Sequence, residues 1–189
     1  MCSSGKSGSF FYYSYDNKYV LKTISTGEFE FFKAIVEDYY QYMRFNSSTL
    51  IQRFFGLHTM VFNEIKMHFV IMNNVFNSNI KINYKYDLKG SSYSRLSRDH
   101  NDINYERYDF NIPMKDLDLE DRKECFYLES DQVYALYDQM KSDSEFLASK
   151  NINDYSLLIG VHEFGRLYKF FFKLKIANKL IKTFFSYFS

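Results

Sequence analysis

Between residues 27 and 45 the apolar side chains Phe29, Phe32, Val36, Tyr40 and Met43 recur at intervals of three and four, unlike the runs on either side. That spacing puts them on one face of an amphipathic helix and predicts a single buried stripe. Tyr19 to Ile24 upstream is short and rich in β-formers, and so are Phe54 to Met60 and Met67 to Met72 downstream. A helix threaded between strands predicts an α+β fold in which the helix covers a sheet.

Ahead of this core, Gly5-Lys6-Ser7-Gly8-Ser9 leads into Phe10-Phe11-Tyr12-Tyr13, a small flexible loop feeding a strand. Asp16-Asn17-Lys18 marks a turn, and the Asn-rich stretch 73–79 closes the first part. In the second part Ile80 to Leu88 is strand-like and 91–126 is polar and loop-rich. Ser130 is placed to cap a helix running to about Ser149, with Val133, Tyr137, Met140 and Leu147 on one face. Residues 151–162 then pass from a polar turn into the apolar run Leu157-Leu158-Ile159.

The bulk composition narrows the function classes. A chain of 189 residues is one domain or a fragment of a larger one. Its net charge of +1 predicts no strong attraction to nucleic acid by net charge alone. Cys2 and Cys125 are too few for a disulfide framework or a zinc site, so a reducing, intracellular setting is the default. No apolar run is of signal-peptide type or long enough to span a bilayer. Phe, Tyr, Asn, Lys and Ile are abundant, Pro occurs once and Trp not at all, a bias that follows AT-rich codons. Aromatic clusters therefore carry no argument for stacking chemistry.

Several residues are chemically suggestive. Gly5-Lys6-Ser7 lacks the upstream glycine and the following helix of a P-loop. Residues 5–9 suit a glycine-rich loop whose amides approach phosphate oxygens, and equally an ordinary hairpin turn. Strand alternation puts Lys22 on the same side as Val20 and Ile24, where an inward ammonium needs an anion such as a nucleotide phosphate. Glu28 and Glu30 follow on the helix and are placed to orient it. Asp87-Leu88-Lys89-Gly90, with Arg95 six positions after Lys89, gathers two cations suited to phosphate groups, or simply a surface charge cluster. Asp154 lies between a helix and an apolar run, where a carboxylate serves as a general base or forms a turn. His58, His68, His100 and His162 show no paired metal spacing, and Asp116 and Asp118 read as turn caps without a catalytic part.

The order and wording of these motifs resemble the phosphatidylinositol phosphate kinases. The matching stretches are Ser7-Gly8-Ser9-Phe10-Phe11-Tyr12, Leu21-Lys22-Thr23-Ile24, Asn46 through Leu57 and Val70-Ile71-Met72-Asn73-Asn74. Asp87 through Arg95 and Ile152 through His162 complete the set. Met72-Asn73-Asn74 and Lys115-Asp116-Leu117-Asp118-Leu119 look most like the type I phosphatidylinositol 4-phosphate 5-kinases. The resemblance implies a kinase-like fold, with an antiparallel small-lobe sheet, its helix and an incomplete large lobe, over residues 1–163. It implies transfer of the ATP γ-phosphate to phosphatidylinositol 4-phosphate, or a catalytically inactive fragment that only binds nucleotide or phosphoinositide. Gly5, Ser7, Gly8 and Ser9 would form the nucleotide loop, and Lys22 would be the ATP lysine. Met72, Asn73 and Asn74 would begin the adenine hinge. Lys89 would act at the transferred phosphate, Arg95 near the lipid headgroup, and Asp154 as the catalytic aspartate. The implied setting is the cytoplasmic face of the plasma membrane, with an anionic lipid surface as partner.

The family's magnesium ligand is a later aspartate, and no Asp or Glu follows Glu163 here. ATP and Mg2+ are thus the implied cofactors, with one metal ligand missing from the sequence. Asn153 stands where the family usually has Met. Residues 164–189 depart from the family and invite three readings: translated non-coding sequence, a basic amphipathic tail for an anionic membrane, or a closing helix.

Overall fold

The structure is a computed structural model that describes residues 2–4, 9–97, 112–123, 125–164 and 167–176. The chain forms two compact units, Met1–Asn77 and Ser78–Ser189.

The first unit holds an antiparallel sheet in the order β1-β2-β3-β5-β4, built from Cys2–Ser4 (β1), Phe10–Tyr13 (β2), Tyr19–Ile24 (β3), Phe54–Phe62 (β4) and Ile65–Asn73 (β5). Helix α1 (Thr26–Phe45) connects β3 to β4. The register pairs Val20 with Met72, Lys22 with Val70 and Ile24 with His68, so these six side chains share one face. Val20, Ile24, Val70 and Met72 form its buried core, with Phe11, Phe29, Phe54 and Leu57 packed against them. β4 and β5 meet in a two-residue turn in which Asn63 and Glu64 both have positive φ, as a tight hairpin requires.

The buried stripe of α1 differs from the expected one. Val36 and Tyr40 are more than half exposed, and Tyr39 is the buried residue. Both sets satisfy helical spacing. Phe54 decides between them, because its ring meets Phe32 at 4.8 Å and Tyr39 at 5.6 Å. The Tyr39 hydroxyl also donates to the Gln52 carbonyl at 3.1 Å and accepts the Phe54 amide at 2.9 Å, tying the helix to the start of β4.

The second unit contains the antiparallel sheet β6-β7-β8, formed by Tyr84–Leu88 (β6), Tyr155–Phe164 (β7) and Leu167–Ile176 (β8). Its helices are α2 (Asp116–Asp121) and α3 (Ser130–Ser149). Tyr86, Leu88, Leu157 and Ile159 are almost wholly buried, and Met114 joins them through a parallel bridge to Tyr86.

Three expectations are corrected here. Glu129, not Ser130, is the N-cap of α3, its amide donating to Gln132 Oε1 at 3.2 Å. On that helix Met140 and Leu147 are buried, while Val133 and Tyr137 face solvent. Beyond Phe164 the chain forms no closing helix over Leu167–Ile176, which pairs with β7 as a strand.

Candidate active site

In the first unit Lys22 lies on the inward face of β3, as alternation predicts. Its ammonium is 3.7 Å from Glu28 Oε1. Glu28 is held by the start of α1: its Oε2 accepts the Ser25 amide at 2.7 Å, and its own amide donates to Ser25 Oγ at 3.2 Å. This capping box fixes the carboxylate that orients the lysine. Glu30 is exposed. The hinge candidates are tied into the unit. Asn73 donates its amide to the Arg53 carbonyl, and its own carbonyl and Oδ1 accept from Gln52 and Arg53. Asn74 donates its amide to Lys18 and its side chain to Asn17. Met72 is buried in the core. Of the nucleotide-loop candidates, Gly5, Ser7 and Gly8 lie outside the described residues, and Ser9 directly precedes β2.

In the second unit the end of β6 and the start of β7 lie side by side, because Leu88 pairs with Leu157. That pairing brings together two motifs 65 residues apart: the Lys89 ammonium bonds to Asp154 Oδ1. Asp154 is buried, and Lys89 is only partly exposed. Two residues after Asp154, the Ser156 hydroxyl is buried and has no hydrogen-bond partner among the described residues.

The turn after Lys89 is held by a residue the sequence did not single out for this role. Asp116 is fully buried. Its Oδ1 accepts the amides of Lys89 at 3.0 Å and Gly90 at 2.8 Å, and its Oδ2 accepts Arg95 Nε at 2.6 Å. Gly90 turns there with φ of 65°, a left-handed conformation that costs glycine little. Arg95 also donates through Nη2 to Asp87 Oδ1 at 2.9 Å. Burial opposes the Arg95 charge, yet the hydrogen bonds with Asp116 and Asp87 outweigh it and raise its pKa above the ordinary arginine value. Asp118, equally buried, takes the amides of Ser97 and Lys115 at 2.8 and 2.9 Å. The Asp-Leu-Asp spacing was a signal of paired carboxylates; their burial depends on distant amides that no local pattern shows.

A buried carboxylate bonded to an ammonium beside a rigid, cation-bearing turn is suited to taking a proton while a neighbouring positive charge meets an anion. A sequence model described as phosphatidylinositol-4-phosphate 5-kinase matches residues 1–169. The chain belongs to the phosphatidylinositol phosphate kinase family. This family member is 38% identical over 163 residues to the type-1 phosphatidylinositol 4-phosphate 5-kinase sktl of Drosophila melanogaster. It is 36% identical over 163 residues to the human type-1 beta enzyme. With phosphatidylinositol 4-phosphate 5-kinase 5 of Arabidopsis thaliana it shares 38% over 186 residues. These alignments cover 86%, 86% and 97% of the chain but only 20%, 29% and 22% of the relatives. The chain therefore spans less than a third of the length of these three relatives, and the match to the family extends past residue 163.

Proposed function

We propose that this chain carries part of the machinery of a lipid kinase that transfers the γ-phosphate of ATP to phosphatidylinositol 4-phosphate, forming phosphatidylinositol 4,5-bisphosphate. The observation that carries the reading is the bond between Lys89 and Asp154, one residue from each of the two motifs most specific to the family.

In this reading an inositol hydroxyl oxygen attacks the γ-phosphorus. The bond from that phosphorus to the β–γ bridging oxygen breaks, and ADP leaves. Asp154 accepts the hydroxyl proton on the oxygen that Lys89 does not hold. Lys89 then answers the negative charge of the transferring phosphoryl group, where fixed charge is worth most. Arg95 has Nε and Nη2 committed to carboxylates, so a headgroup phosphate would meet Nη1. In the first unit Lys22, oriented by Glu28, would take the nucleotide phosphates, residues 5–9 would cover them, and Met72 to Asn74 would border the adenine. Magnesium, when bound, would offset negative charge on the phosphates. Among the described residues no group of three His, Cys, Asp or Glu side chains is placed to hold a metal ion by itself; magnesium on nucleotide phosphates needs only one or two carboxylates.

The same reading makes the first unit the small lobe of a kinase-like fold and the second part of its large lobe. It places the protein at the inner, anionic face of the plasma membrane. Incubating the intact protein with labelled ATP and vesicles containing phosphatidylinositol 4-phosphate tests it. Label appearing in the bisphosphorylated lipid supports the assignment. Magnesium-dependent ATP binding without lipid phosphorylation would instead select an inactive nucleotide-binding relic, and phosphorylation of soluble inositol phosphates alone would reassign the substrate.

A further inference from the structure

Asp116 and Asp118 occupy the same short helix, two residues apart, and both are fully buried. What they hold differs. Asp118 gathers the backbone amides of Ser97 and Lys115. The Asp116 carboxylate bonds instead to the segment that carries Lys89: the Lys89 amide, the Gly90 amide and the Arg95 guanidinium. Arg95 closes the ring by returning to Asp87, two residues before Lys89. The Leu117 amide donates to the Arg95 carbonyl at 3.0 Å, which locks the helix to the same segment. The backbone on which the Lys89 side chain pivots is thus gripped on both sides of Gly90 by one carboxylate.

We propose that Asp116 is a positioning residue: by clamping the Lys89–Gly90 turn and Arg95 it fixes Lys89 against Asp154, and the rate of phosphoryl transfer depends on it. This rests on the lipid-kinase reading above. A displacement of about 1 Å in a reacting group can cost roughly 10²-fold in rate, so a clamp one bond removed from the chemistry is consequential. Asparagine at position 116 keeps the shape and one acceptor oxygen but loses the charge that Arg95 and both amides share.

The test compares Asp116→Asn with Asp118→Asn in the intact protein, because a purely structural role predicts the same behaviour for both. Steady-state rates with labelled ATP and phosphatidylinositol 4-phosphate vesicles are normalised to the folded fraction. Amide hydrogen exchange is measured without substrate. The proposal expects Asp116→Asn to lose about 10²-fold in kcat, with KM for ATP within about twofold of wild type. Its Lys89 and Gly90 amides should exchange faster. Asp118→Asn should speed exchange at Ser97 and Lys115 and keep the wild-type kcat per folded molecule. Equal normalised kcat in the two variants, or unchanged exchange at Lys89 and Gly90 in Asp116→Asn, overturns the proposal. A wild-type protein that phosphorylates no phosphoinositide overturns the functional reading instead, and exchange then decides the clamp separately.

Discussion

Glu28 divides its two carboxylate oxygens between two tasks: one caps α1 through the Ser25 amide, and the other lies 3.7 Å from the Lys22 ammonium. The helix start and the candidate nucleotide lysine are therefore set by one side chain. Its position is dictated by the capping box, a local feature, while its partner comes from the adjoining strand.

Substitution at either end of that pair should separate the two tasks. Lys22→Met should weaken ATP binding by about tenfold or more, because it removes the charge proposed to meet the phosphates, while leaving the Ser25–Glu28 cap in place. Glu28→Ala should weaken ATP binding and also cost about 1 kcal/mol of stability through the lost cap. Calorimetric titration with ATP, paired with urea unfolding, reads both quantities.

Gly90 is held with φ of 65° while its amide is fixed on Asp116. Gly90→Ala should cost about 1–2 kcal/mol, since a Cβ is disfavoured in that conformation. It should also lower turnover by shifting Lys89. Chemical denaturation alongside the vesicle assay would show the two losses together.

Ser156 presents the opposite case, a buried hydroxyl without a hydrogen-bond partner among the described residues. Removing an unsatisfied buried polar atom relieves a desolvation penalty of about 1–3 kcal/mol, against which the small void left behind counts. Ser156→Ala should therefore be neutral or stabilising, read as an unchanged or higher denaturant midpoint. A clear drop in the midpoint would show that the hydroxyl is engaged.

The alkaline limit of stability is set in part by two tyrosines. Burial pushes Tyr39 upward from its ordinary value of 10.0, against smaller lowering from the Phe54 amide and Arg53. Burial likewise raises Tyr155, against a hydrogen bond with Ser144. A raised folded pKa means that the folded state holds its proton more tightly. The associated stability is complete below pH 10.0 and is lost as pH rises through the folded pKa values. Stability should thus fall above pH 10.0, and Tyr39→Phe, which cannot ionise, should flatten that decline. Thermal unfolding between neutral and strongly alkaline pH would measure it.

Elements set by local pattern were legible in the sequence. The strand at Tyr19–Ile24 and the helix ending at Phe45 follow from residue preference and period alone. The inward position of Lys22 follows from strand alternation. What the sequence hid depends on distant contacts. Tyr39 rather than Tyr40 is buried because Phe54 arrives from another strand. Asp116 looked like a cap because its partners at 89, 90 and 95 lie more than twenty residues upstream. At Lys173-Leu174-Lys175-Ile176 the chain alternates cation and aliphatic residue, a period-two strand signal within a stretch whose composition is also that of a basic amphipathic tail. The meeting of Lys89 and Asp154 was readable only through family resemblance, since nothing in either motif names the other.

The proposed mechanism depends on Asp154 acting as the base beside Lys89. The most direct measurement is the initial rate of label transfer from ATP to phosphatidylinositol 4-phosphate vesicles by the intact protein and by its Asp154→Asn variant, both checked for folding. The mechanism predicts a loss of about 10²–10⁴-fold in the variant. Equal rates in the two proteins would contradict it.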